Sequence, residues 1–239
     1  MLMWNEVEGL QDQALKSDFL TFCYEENINY LDQQMRNIFD YFEEKNLFKN
    51  TLFIITSDHG ESIGEHDLYD HGNKRLYNPE IRVPLFILLP DGLKPFVKRN
   101  VIDICTQSVD FFPTILELLG IKCDVELNGK SLLPYMFGTR EGDDDYAIAE
   151  YTGVSAITDN AYKLIVRDEV IEFYHLPDDP DEENNLAASM PEAVRAFKKT
   201  LDSRKKATYD AFPKPLTGID EKRYDPETLR LLKTLGYLK

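Results

Sequence analysis

Between residues 26 and 45 the apolar side chains Ile28, Leu31, Met35, Ile38, Phe39 and Phe42 recur at helical spacing, with Asp32, Gln33, Arg36 and Glu43 between them. That period predicts an amphipathic helix laid on a sheet. Residues 46–50 link it to the apolar run 51–56, a buried strand, so the segment reads as a helix-then-strand unit of α/β type. A second apolar run, 83–89, carries Pro84 near its start, where a strand tolerates it, and Pro90-Asp91-Gly92 ends it. Residues 61–78 lie between the two runs, rich in Gly, His, Asp and Glu and with little period. Their length suits a functional loop better than a minimal connector. Residues 101–104 read as a further short strand. Residues 109–119 read as a helix with Phe112, Ile115, Leu116 and Leu119 on one face and Gly120 as its stop.

The pattern changes after Asp143-Asp144-Asp145. Four short strand candidates, 146–151, 154–158, 162–166 and 170–174, are separated by Gly153, by Asp159-Asn160 and by Arg167-Asp168-Glu169. Connections that short favour antiparallel hairpins over crossover helices. Residues 178–185 form a polar turn, 191–209 a helix with Pro191 in its first turn, and 226–235 a second, short helix. The organisation expected is therefore an α/β domain over residues 1–142 and a small subdomain over 143–239.

Composition narrows the function. The hydrophobic fraction of 43% over 239 residues is ordinary for a chain that buries a core. A net charge of −16 argues against a nucleic-acid surface, which needs clustered Lys and Arg. Cys23, Cys105 and Cys123 are an odd set without metal or redox spacing, and read as small buried hydrophobes. No apolar run is long enough for a membrane span and the opening residues lack the pattern of a signal peptide. A soluble chain is expected, cytoplasmic if Met1 is the true start; its localisation is otherwise open.

The chemistry gathers where the first strand ends. Asp58, His59 and Gly60 follow the apolar run directly, at the edge of the sheet where α/β proteins bind ligands. A carboxylate and an imidazole are good metal ligands, and the glycine lets the backbone turn closely behind them. His71-Gly72 supplies a second imidazole from the same loop and Lys74 a cation. Together they suit metal-assisted reaction at an anionic ester. His66 reads as a solvated loop residue, His175 as structural and Arg82 as an ordinary ion-pair partner.

Asn50-Thr-Leu-Phe-Ile-Ile-Thr-Ser-Asp-His-Gly-Glu61, His71-Gly72 and Leu76-Tyr-Asn-Pro-Glu-Ile-Arg-Val-Pro-Leu85 resemble the sulfatase branch of the alkaline-phosphatase superfamily. So do Val109-Asp-Phe-Phe-Pro-Thr-Ile-Leu-Glu-Leu-Leu-Gly120 and, in the small subdomain, the stretches 162–165, 173–186 and 229–238. The resemblance implies an α/β fold: part of an alkaline-phosphatase-like core with a mainly parallel sheet, plus a C-terminal antiparallel α+β subdomain. It implies a sulfuric ester hydrolase, with Asp58 and His59 as metal ligands and His71 and Lys74 as contacts to the oxygens of the transferred group. Lys74 stands one position off the usual spacing to Tyr77.

Calcium is the usual ion of sulfatases, whereas an Asp-His pair suits zinc or manganese. The substrate implied is a sulfate-ester or phosphate-ester small molecule or glycan. A phosphodiesterase, a phosphonate monoester hydrolase, a phosphoethanolamine-type transferase and a non-catalytic fragment are the alternatives. The family's Cys/Ser-x-Pro-x-Arg nucleophile segment is not among these residues. The chain therefore resembles a C-terminal portion. A missing N-terminal half or an oligomer partner is the expected complement, with a weak metal site and exposed apolar strand surface in its absence.

Overall fold

The computed structural model describes residues 12–211, apart from 73, 143–145 and 160, together with Asp225 and Arg230. Helix α1 spans Gln13–Glu44. It begins well before its clear apolar period because Asp12 caps it, its carboxylate accepting the amides of Ala14 and Leu15. It ends where Asn46 turns left-handed, at φ 54°. Phe39 and Phe42 near its end meet Phe48 and Phe53, the Phe42 and Phe53 rings 4.7 Å apart in an edge contact. This aromatic cluster fixes the start of strand β1, Phe53–Thr56.

Beyond β1 the chain forms a small hairpin, β2 (Ser62–Ile63) with β3 (Tyr69–Asp70), then a single helical turn, α2 (Asn78–Ile81), then β4 (Leu85–Leu88). Strands β1 and β4 pair antiparallel, Phe53 opposite Leu88 and Thr56 opposite Leu85. A mainly parallel sheet is what the family resemblance implies, and among the described residues this antiparallel pairing corrects it. A parallel return needs a crossover, usually a helix. The connection here holds only the hairpin and one turn, so the chain doubles back along β1. Leu52 and Ile87 meet Leu89, Leu133 and Met136 of a core to which Leu118 also belongs. The last three lie on helices α3 (Phe111–Leu118) and α4 (Leu133–Met136). Gly120, at φ 64°, follows α3 as the sequence suggests. Residues 101–104 form no strand, and Val101 is 87% exposed, with no core to cover it.

Strands β5 (Ala147–Tyr151), β6 (Val154–Thr158), β7 (Tyr162–Arg167) and β8 (Val170–His175) form the expected antiparallel sheet in sequential order. Its alternating residues build two faces. Val154, Ala156, Ile165 and Tyr174 cover Leu76 and Tyr77 on one. Ile157, Leu164 and Phe173 take Val194, Phe197 and Leu201 of helix α5 (Pro191–Ala211) on the other. The segment that precedes α2 is thus packed on the four-stranded sheet.

The chain divides into two compact units, 1–201 and 202–239, and α5 begins in the first. Of the second unit the described part is chiefly the end of α5, where Lys206 pairs with Asp210 one turn on. The helix expected over 226–235 lies, apart from Arg230, outside the described residues. No helix of the described residues is long and apolar enough to cross a membrane. Helix α1 has no buried residue, and Phe22 and, on β4, Phe86 are each 59% exposed.

Candidate active site

The turn after β1 is closed by its own polar groups. The Ser57 hydroxyl donates to the His59 carbonyl at 2.6 Å, and the His59 amide donates to Asp58 Oδ1 at 3.0 Å. Gly60 follows, and sterics dictate it: a Cβ there would stand 2.0 Å from the Pro79 carbonyl oxygen of α2. The Gly60 amide donates to the Glu80 carbonyl at 2.7 Å. The backbone behind the imidazole is therefore seated directly on α2.

His59 Nδ1 lies 2.8 Å from the Gly60 carbonyl. A carbonyl only accepts, so Nδ1 carries the proton and the Nε2 lone pair is presented outward. Nε2 is 3.8 Å from Asp58 Oδ2, on a side chain that is 88% exposed. The His71 ring stacks on His59 with centroids 4.1 Å apart, and His71 Nδ1 is 3.4 Å from Glu61 Oε2. The acceptor at Gly60 raises the pKa of His59, with Asp58, Glu61 and Glu80 adding to it against the effect of burial. The backbone amide of His59 holds the Asp58 carboxyl below the usual carboxylate range, helped by its own amide and by the imidazole.

The structure thus gathers His59, Glu61 and His71, with ligand atoms all within 4.8 Å of one another. Bonds of about 2.0–2.6 Å from one ion reach donors spaced in this way. Two imidazoles and a carboxylate, with Asp58 beside them, are a donor set that fits a divalent cation. Asp58 lies against His59 and outside this trio. Glu61 was not singled out in the sequence; its spacing of two from His59, which puts side chains on one side of an extended segment, was the available signal. Lys74 stays on exposed backbone in the left-handed region, at φ 57°.

His66 is no solvated loop residue: its ring stacks on Tyr77 at 3.7 Å, and its Nε2 is buried. His175 is structural, its Nδ1 2.9 Å from Asp178 Oδ2 across the turn after β8.

Residues 15–121 match the family model described as Sulfatase. The chain is 29% identical over 189 residues to arylsulfatase K of Gallus gallus, covering 72% of this chain and 34% of that one. It is 30% identical over 183 residues to a multifunctional alkaline phosphatase superfamily protein of Trinickia caryophylli, covering 67% and 35%. Among solved structures it resembles the phosphonate monoester hydrolase of Agrobacterium radiobacter, at 26% identity and a TM-score of 0.65, covering 75% of this chain and 40% of that one. The chain spans about a third of the length of the curated relatives it matches. Residues 15–121 are thus a sulfatase-family segment, and the relatives of the chain fit membership of the alkaline-phosphatase superfamily.

Proposed function

We propose that this chain forms the metal-holding part of a sulfuric ester hydrolase. Asp58 and His59, with Glu61 and His71 at hand, would hold a divalent cation. That ion would supply Lewis acidity and neutralise charge developing on the ester's oxygens. The carrying observation is the stack of His59 on His71 beside Glu61, since it collects nitrogen and oxygen donors just past the end of β1. The protonated Nδ1 of His59 keeps its Nε2 aimed outward, and Ser57 and Gly60 hold the turn that carries it. His71 is close enough to share the cation or to touch the anionic group. Lys74, if drawn in on substrate binding, adds a cation for the same oxygens.

No Cys/Ser-x-Pro-x-Arg segment lies in these residues, so turnover is assigned to a complete enzyme in which another segment supplies the nucleophile. A phosphonate or phosphate monoester is the second reading. The nitrogen donor beside Asp58 and the likeness to a phosphonate monoester hydrolase support it.

The test is a side-by-side assay of p-nitrophenyl sulfate, p-nitrophenyl phosphate and p-nitrophenyl phenylphosphonate, with Ca, Mn and Zn ions. It is run on the chain alone and with a family segment bearing the nucleophile motif. Sulfate turnover that needs the added segment and is lost in His59→Ala supports the proposal. Faster phosphonate or phosphate turnover favours the second reading, and normal sulfate turnover by the chain alone contradicts the assignment of the nucleophile.

A further inference from the structure

Helix α2 is one turn long, and a helix so short has no stability of its own, so its place is set by what grips it. The grip comes from the four-stranded sheet and the turn beyond it. Glu182 Oε2 accepts the Asn78 amide at 2.6 Å, Lys163 Nζ donates to Asn78 Oδ1 at 3.0 Å, and the same ammonium lies 2.6 Å from Glu182 Oε1. Lys163 and Glu182 are fully buried, at 0% side-chain exposure each. Beside them the Tyr77 hydroxyl donates to Glu172 Oε1 at 3.2 Å.

An ion pair taken so far out of water is weak evidence for stability, because desolvation offsets most of the attraction. What this pair does supply is a fixed position for Asn78. From Asn78 the helix runs to Pro79 and Glu80, whose carbonyls meet Gly60, one as the wall against its α-carbon and one as its hydrogen-bond acceptor. Gly60 in turn carries the carbonyl that orients His59. The path from the buried pair to the imidazole is continuous and made of backbone and short hydrogen bonds.

The geometry points to Lys163 and Glu182 as positioning residues for the His59 turn, acting through Asn78 and the α2 backbone on the Gly60 amide and carbonyl. As a statement about metal binding this rests on the function proposed above; as a statement about the turn it does not.

The experiment uses the full chain and two readings: amide exchange at Gly60 without metal, and Mn²⁺ affinity by titration. The variants are Lys163→Met, Glu182→Gln, and Leu201→Ala as a control on the opposite face of the sheet. Leu201 is 2% exposed, and its truncation destabilises through a cavity far from this path. Lys163→Met is expected to speed Gly60 exchange about tenfold or more and to weaken Mn²⁺ binding about tenfold, the range seen when a ligand's support is removed. Glu182→Gln, which keeps an oxygen for the Asn78 amide, is expected to do less on both, and Leu201→Ala to leave both within about twofold.

Wild-type exchange and affinity in Lys163→Met overturn the inference. If that variant does not fold, Glu182→Gln decides by the same two readings. If the wild-type chain binds no Mn²⁺ while Gly60 exchange still responds to Lys163→Met, the positioning role stands and the metal reading falls.

Discussion

Gly60→Ala is the most local perturbation that separates a built site from an accidental meeting of side chains. The added Cβ would sit 2.0 Å from the Pro79 carbonyl oxygen, where ordinary contact begins at 3.4 Å, so backbone must yield by about 1.4 Å. Neither side gives cheaply, because Pro79 lies one residue from the Asn78 clamp and Gly60 donates to Glu80. Overpacking of this kind costs about 1–3 kcal/mol, and loss of the Gly60 to Glu80 hydrogen bond a further 0.5–1.5 or so. The expected loss is about 2–4 kcal/mol, read by urea unfolding of the full chain. Because the same shift carries His59 away from His71 and Glu61, divalent-metal affinity should fall about 10–100-fold. Gly92→Ala is the control, since nothing lies within 4 Å of its added Cβ, and it should change stability by less than about 1 kcal/mol. A Gly60→Ala protein that is as stable as wild type and binds metal within twofold would refute the claim that α2 seats the turn.

Three further outcomes follow from the same contacts. His59 has a raised pKa and Asp58 a lowered one, so between pH 8 and 6 protons compete for the His59 imidazole while the carboxylate stays ionised; Zn²⁺ affinity by calorimetry should weaken steadily as pH falls, by up to about tenfold per unit through His59. Burial and Glu172 raise the pKa of both Tyr77 and Tyr174, so the folded chain keeps protons that the unfolded chain releases above pH 10. Stability is therefore full below that pH and lost as pH rises past it, and Tyr174→Phe should make the alkaline loss in urea midpoint shallower. Phe22 and Phe86 stand exposed on α1 and on a two-stranded sheet, which invites self-association; replacing each with Lys should lower the mean mass seen by sedimentation at high concentration.

Local signals carried much of the architecture. The four hairpin strands were legible because short polar turns leave no room for crossovers, and their observed spans agree to within a residue or so at each end. The start of α1 was not, because Asp12 sets it by capping while the apolar period is weak across the first turns. The direction of β4 relative to β1 is not legible in the sequence because an apolar run has no polarity of its own; only the path of residues 57–84 decides it. At the site, Asp58, His59 and His71 stood out by chemistry, and the structure brings the two imidazoles together. Glu61 joined them through the local turn, and the Lys163 to Glu182 pair was invisible because their contact spans distant segments that meet only in the folded chain.

On the function proposed above, the turn after β1 holds one divalent cation through His59 and its neighbours. Titrating the full chain with Mn²⁺ and reading bound ion by electron paramagnetic resonance tests it directly, with His59→Ala and His71→Ala alongside. One ion per chain, weakened at least about tenfold by His59→Ala and measurably by His71→Ala, is the expected result. Binding that is absent in the wild-type chain, or that both substitutions leave unchanged, would contradict it.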